Sequence, residues 1–472
     1  MAGAAATIEA HEENALARRA HVSGLVGVGV ILGLGVAGAD PGLWNAAWAL
    51  FVDRVPDPAL YFPLAVLGTC AALMFAAEAC IRRRAAGRLC RVSAKLAARR
   101  YGAFAAECML SYALGAFVLA LVAALYGYLN EYGMARGGSY YGPWFRVVDL
   151  LWQGYVVLGL PYIVLTRALQ DDPDADRKGV TYLVVKLAAK GLSAQAPLRL
   201  ALTQDVFGMA HDPGLRTFTR SDFIALRGLL VKLFFLPLMT VFFLDQFSHL
   251  THNFSYLGRL LGGADPAMQF GVRDFYNVSF SIVFSIDVGL AWCGYAVASR
   301  WIKNTTVSVE PTLLGWTVAL LSYPPFQQVL GFYIQIPPEH GFLAIPSTPF
   351  VLAFAVVSVA SYLVYMSATL VFGLRFSNLT HRGIITQGPY ADIRHPAYAA
   401  KNLAWWTVMM PYVIYQAWTL DSPRQLAQIL GLVALSTLYY LRAITEERHL
   451  SADPDYVAYC RRVPYRFIPK VL

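Results

Sequence analysis

Residues 81–100 read IRRRAAGRLCRVSAKLAARR, and residues 101–128, directly after them, read YGAFAAECMLSYALGAFVLALVAALYGY. From about 104 to 128 the second stretch is apolar without strand-like alternation, and it exceeds the roughly 20 residues a helix needs to cross a bilayer. The first carries Arg82, Arg83, Arg84, Arg88, Arg91, Lys95, Arg99 and Arg100 and no acid. A basic loop running into a membrane-length helix reads as cytoplasmic, because short loops rich in Lys and Arg stay on that side.

Runs of the same kind recur at about 22–38, 60–80, 147–166, 223–246, 276–300, 311–334, 348–374, 397–419 and 425–444. With the first they make ten expected spans. The 472 residues are 57% hydrophobic and 14% charged, against about 45–50% and 25% for soluble domains, which excludes collagenous, disordered, disulfide-scaffold and ordinary soluble classes. The net charge of +9 is spread between apolar runs, so it reads as topology and not as a nucleic-acid face. Six cysteines at 70, 80, 90, 108, 293 and 460 contain no CxxC pair, and neither a disulfide framework nor a zinc site is expected.

The expected fold class is therefore all-α, a polytopic transmembrane helical bundle of about ten spans with a C-terminal helix hairpin. Counting outward from the 81–100 loop puts both termini in the cytoplasm, with the basic segments 167–222, 301–310, 375–396 and 445–472. The first run reads as an anchor, lacking a small-residue cleavage site. Within 167–222, the stretch Val180–Ala201 places Lys186, Lys190 and Arg199 at helical spacing, fit for the membrane surface or for packing on neighbouring loops.

Three features inside the spans invite chemistry. Gly24, Gly27, Gly29, Gly33, Gly35 and Gly38 lack the preceding strand and the register of a dinucleotide fingerprint, and are expected to serve close helix packing. Asp245, His249 and His252 share a helical spacing that suits metal ligands, but interfacial hydrogen bonding accounts for them and no metal is expected. Asp287, an acid in mid-span, marks either a structural hydrogen bond or a polar cavity.

The chemistry concentrates in the last hundred residues. These contain GPYADIRHPAYAAKNLAWW (388–406), a turn at Asp421–Pro423, YYLRAITEERHL (439–450) and DPDYVAYCRRVPYRFIP (453–469). Helical spacing groups Tyr398, Asn402 and Trp405 on one face, and Arg442, Glu446 and His449 on another. Gly388-Pro389 forces a turn, and Pro396 suits a first helical position. Arg394 and His395 then stand at the mouth of a hairpin that offers cations for a carboxylate or phosphate, acids for an ammonium or ribose, and rings for an adenine or a cation.

The joint pattern, G-P-Y, R-H-P-x-Y, R-x-x-x-E-E-x-x-L and Y-x-x-Y-x-x-x-V-P, resembles the membrane-bound isoprenylcysteine carboxyl methyltransferase superfamily over about residues 372–472. The resemblance divides the chain into a transmembrane bundle, 1–371, that shapes a substrate cavity, and a cofactor-binding hairpin and tail, 372–472. It implies an enzyme that binds S-adenosylmethionine in a cytosolic pocket and methylates a lipophilic acceptor arriving from the bilayer. Carried over by motif, Tyr390, Arg394, His395, Pro396, Tyr398, Glu447, Tyr456 and Tyr459 would hold the cofactor. Arg442 and Glu446, with Asn402, would serve the acceptor: Arg442 orients a carboxylate, and Glu446 takes the proton of an amine or thiol. Trp405, Trp406 and Tyr439 would line the acceptor's path. The Ala- and Arg-rich composition looks bacterial, which points to the inner membrane and to membrane lipids and a small amphiphile as partners. The tail also resembles that of sterol reductases, which use NADPH, although Ala397, Ala400 and Lys401 depart from their R-H-P-N-Y-x-G-acid pattern. A transporter is the non-enzyme alternative.

Overall fold

Lipid supplies no partner for backbone N–H and C=O groups, so a chain this apolar must satisfy them within its own helices. A computed structural model of the chain describes residues 2–40, 42, 45–86, 101–129, 140–169, 183–187, 218–263, 268–327, 341–420 and 424–471. Its principal helices are α1 (Ala2–Ala39), α2 (Asn45–Arg54), α3 (Pro58–Ala86), α4 (Tyr101–Tyr128), α5 (Gly142–Ala168), α6 (Arg220–Leu261), α7 (Val272–Ala296), α8 (Leu313–Leu320), α9 (Thr348–Leu370), α10 (Pro396–Leu420), α11 (Arg424–Leu450) and α12 (Pro454–Arg462). Among the described residues eight of these, α1, α3 to α7, α9 and α11, are long and apolar enough to cross a membrane. The protein is an all-α, polytopic membrane protein.

Two of the ten expected spans are not among these eight. The 397–419 run is the 25-residue α10, whose Lys401, Asn402 and Gln416 keep it out of the apolar eight. Of the 311–334 run the structure describes residues 311–327, among which the eight residues of α8 are helical. The chain then turns through 321–327, where Pro324 and Pro325 lack the N–H groups a helix would need. At the end of α7, a Cβ on Gly294 would lie 2.2 Å from the Phe376 carbonyl oxygen. Near its start, Tyr276 meets Phe342 edge-on at 5.2 Å. The 18 residues from Tyr276 to Gly294 span roughly 27 Å of α7.

The chain forms two compact units, one of residues 82–241 and 300–309 and the other of 1–81, 242–299 and 310–472. Compactness therefore groups the helices differently from the motif boundary at 371/372. In the first unit, α4 and α5 pair through Tyr112 and Tyr155, stacked at 5.2 Å, with the Tyr155 hydroxyl donating to the Tyr112 carbonyl at 2.8 Å. Gly115 makes room for that hydroxyl, which a Cβ would meet at 2.0 Å. Of the 180–201 stretch the structure describes only a short helix at 183–187. There Lys186 is buried against Asp222 and does not face a surface, because burying an ammonium demands a paired acid.

In the second unit the glycines of α1 divide by neighbour. A Cβ on Gly24, Gly27, Gly35 or Gly38 would strike Leu370, Leu290, Leu250 or Phe62 within 3 Å, whereas Gly29 and Gly33 face open space. The small-residue seam predicted from sequence is thus built from four of those six positions. Below it, Ser23 of α1 donates to Glu78 of α3 at 3.0 Å, and Glu78 accepts from Arg375, just beyond α9, through both oxygens at 2.9 Å. That buried ion pair ties the start of the C-terminal segment to the N-terminal helices.

Candidate functional site

The segment after α9 is positioned by three anchors. Gly373, at φ +50°, passes where a Cβ would meet the Ala20 carbonyl oxygen at 2.3 Å. Arg382 donates to the Gly294 carbonyl at 2.6 Å. The Glu310 amide donates to the Leu379 carbonyl at 2.8 Å. Gly388 then takes φ +63°, the left-handed turn expected of Gly388-Pro389, and Pro396 opens α10. The tail returns to this entrance: Arg394 and His395 donate their amides to the carbonyls of Tyr465 and Arg466, each at 2.9 Å.

Glu447 closes the arrangement. It accepts from Arg466 Nε at 3.0 and 2.9 Å, and it lies 3.0 Å from Arg394 Nε and 3.1 Å from His395 Nε2. One carboxylate thus joins α11, the start of α10 and the tail. Its hydrogen bond holds the Arg466 guanidinium above its ordinary pKa. His395 stacks on Tyr398 at 5.5 Å, and the Tyr398 hydroxyl donates to Glu446 Oε2 at 2.8 Å. Arg442 lies over the rings of Tyr398 and Tyr323, 5.0 and 5.7 Å from their centroids, and donates to Asn378 Oδ1 at 3.1 Å. The Tyr459 hydroxyl donates to the Tyr390 carbonyl at 2.8 Å.

These groups surround one cavity at the ends of α8 to α12. Of the residues expected from sequence, Tyr390, Arg394, His395, Tyr398, Tyr439, Arg442, Glu446, Tyr456 and Tyr459 line it. Pro396, Asn402, Trp405, Trp406 and Glu447 do not. Glu447 acts from behind the wall. Asn402 and Trp406 belong to the seam between α10 and α11, where the Trp406 indole donates to Ser436 Oγ and Ser436 donates to Asn402 Oδ1, each at 2.8 Å. Trp405 packs with Val318, Leu435, Leu438 and Tyr439. The turn at 421–423 lies outside the described residues.

Sequence reading grouped His449 with Arg442 and Glu446 but gave it no role, and it missed the rest of the wall, including Glu310, Tyr323, Tyr365, Thr369, His381 and Arg382. For α9 the available signal was Asp287. That buried acid accepts from Tyr365 at 2.8 Å and Thr369 at 2.5 Å, so it braces α9 behind the cavity, while Lys401 Nζ stands 5.1 Å over the Tyr365 ring. Burial sets the charge of the loop groups. It pulls Arg382 down to about 10, holds His381 below its ordinary value despite Asp453 and Asp455, and raises the phenols of Tyr390, Tyr456 and Tyr459. Elsewhere, Asp245 and His249 are more than half exposed and 3.8 Å apart, and among the described residues no three His, Cys, Asp or Glu side chains are grouped to hold a metal. Comparison of the chain with family models, curated proteins and solved structures returned no match.

Proposed function

We propose that this protein is an S-adenosylmethionine-dependent methyltransferase of the bacterial inner membrane, with cytoplasmic termini, acting on a lipophilic or amphiphilic acceptor. One observation carries the reading: Tyr390, Arg394, His395, Tyr398, Arg442, Glu446, Tyr456 and Tyr459, picked out by a motif spread along the C-terminal region, line a single cavity. The donor set fits the cofactor. Among the described residues, Thr380 Oγ1 and Arg382 Nε are buried polar atoms of the wall without hydrogen-bond partners, and a ligand rich in hydroxyl, amino and carboxylate groups would satisfy them. Arg394 offers a cation and His395 a ring nitrogen to a polar ligand group, Glu446 an acceptor to an ammonium or ribose, and the tyrosines flat faces to an adenine. The bound cofactor would supply an electrophilic methyl group, leaving the protein chiefly to align donor and acceptor. For that task Glu447 fixes Arg394 and His395, and Asp287 fixes Tyr365.

Binding to detergent-solubilised protein tests the reading. S-Adenosylhomocysteine should bind by calorimetry, and His395→Ala should weaken it at least tenfold. A second reading, an NADPH-dependent reductase, is favoured by Arg382 and Lys401, two cations that line the wall with Arg394 and Arg442. Tight NADPH binding with no response to S-adenosylhomocysteine would move the assignment there.

A further inference from the structure

Glu310 and His449 have no part in the motif, yet the fold invests heavily in placing them together. Glu310 precedes α8 and is 2% exposed. Its backbone is fixed at both ends, the amide donating to the Leu379 carbonyl at 2.8 Å and the carbonyl accepting from the Trp316 indole at 2.9 Å. Its Oε1 accepts from the Thr312 amide at 3.0 Å, from the Thr312 hydroxyl at 2.5 Å and from Arg448 at 3.2 Å. Gly315 leaves the space in which this carboxylate folds back, since a Cβ there would lie 2.4–2.7 Å from Cγ, Cδ and Oε1. With Oε1 so occupied, Oε2 is the oxygen that faces His449, 3.9 Å from Nδ1. The His449 side chain is 8% exposed, and both residues line the cavity.

We propose that His449, oriented by Glu310, is the general base of the methyl transfer, and that the acceptor is a protonated nucleophile, an amphiphilic thiol or amine, instead of a carboxylate. This rests on the methyltransferase reading and names the substrate class for it. An imidazole with one nitrogen toward a buried carboxylate presents the other to a substrate proton, and the carboxylate stabilises the imidazolium that forms. Catalytic hydrogen bonds are often long in a structure without ligand and tighten with substrate bound. In the step, the acceptor's lone pair forms the new bond to the methyl carbon and the carbon–sulfur bond breaks with its electron pair left on sulfur. The acceptor's proton passes to His449 Nε2. A carboxylate acceptor carries no proton to remove and would leave this dyad without a task. Glu446 is less suited to the role, because its side chain is 44% exposed and already accepts the Tyr398 hydroxyl. The charged and titratable groups around His449 are Glu310 before α8, His381 on the loop after α9 with Asp453 3.4 Å beyond it, and Glu446 and Arg448 on its own helix.

Two measurements on the full-length solubilised protein test the assignment. With labelled S-adenosylmethionine and decanethiol, decylamine or decanoate in the micelle, the thiol or amine should be methylated at a rate that rises with pH through the imidazole range. His449→Gln and Glu310→Gln should each lower kcat at least a hundredfold, remove that rise and leave S-adenosylhomocysteine binding within threefold. Methylation of decanoate alone, with a flat pH profile, would overturn the dyad and keep the methyltransferase. Absence of S-adenosylhomocysteine binding would overturn the methyltransferase reading itself, and the dyad's role with it. Independently of turnover, the carbon-13 titration of His449 in histidine-labelled protein should move to lower pH in Glu310→Gln, since a carboxylate beside an imidazole favours its charged form. An unchanged midpoint would show that Glu310 does not act on His449.

Discussion

Arg375 and Glu78 stand 297 residues apart in the chain and form an ion pair in which one guanidinium nitrogen meets both carboxylate oxygens at 2.9 Å, with neither side chain exposed to solvent. Glu78 sits under the glycine seam of α1, and Arg375 is part of the cavity wall. The pair makes the N-terminal helices a structural condition of the site.

Breaking this pair from one side leaves a buried charge without its partner, which costs about 3–5 kcal/mol. Glu78→Ala should therefore lower the thermal midpoint in detergent sharply. The double variant Glu78→Leu/Arg375→Met should recover much of the loss, because no ion is then left unpaired. A Glu78→Ala protein as stable as the parent would show that the pair contributes nothing.

A pH dependence follows from His381. Burial keeps its imidazole below its ordinary value in the folded protein, and outweighs Asp453 and Asp455, which act the other way. Below about pH 6.5 the unfolded chain takes up this proton before the folded one does, so stability present above that pH is lost as pH falls toward the folded value. The thermal midpoint of the parent should drop more steeply between pH 7 and 5 than that of His381→Gln. Parallel curves would remove His381 as the cause.

Local patterns were readable because local physics produced them. The apolar runs gave the helices, the Gly388-Pro389 turn gave the entrance to α10, and helical spacing brought Arg442 and Glu446 to one wall. Glu447 was carried over by motif as a cofactor residue, but its place behind the wall, between Arg394, His395 and Arg466, depends on a tail that meets Arg394 and His395 through backbone hydrogen bonds. Glu310 was illegible for a similar reason. It adjoins a run that reads as one long span, and only the short α8, ended before Pro324, curls its carboxylate toward His449. Trp405 and Trp406 show the limit of ring type and depth as a guide: both were assigned to the acceptor's path, and neither lines this cavity, Trp406 bonding to Ser436 and Trp405 packing with Leu435, Leu438 and Tyr439.

The α10–α11 seam yields a prediction separating structure from substrate recognition. The Trp406 indole is committed to Ser436 and, through it, to Asn402, so Trp406→Phe removes a hydrogen bond between two helices and should cost about 1 kcal/mol. Tyr439 differs: it belongs to the cavity wall, stacks with Tyr398 at 6.0 Å and packs on the Val318 cluster from α8, which puts it between cofactor-facing groups and apolar helix. With decanethiol as acceptor, Tyr439→Ala should raise KM several-fold while S-adenosylhomocysteine binding stays within threefold, and Trp406→Phe should lower the thermal midpoint with KM unchanged. The reverse outcome, KM raised by Trp406→Phe and untouched by Tyr439→Ala, would place the acceptor's path along the α10–α11 seam and not through this cavity.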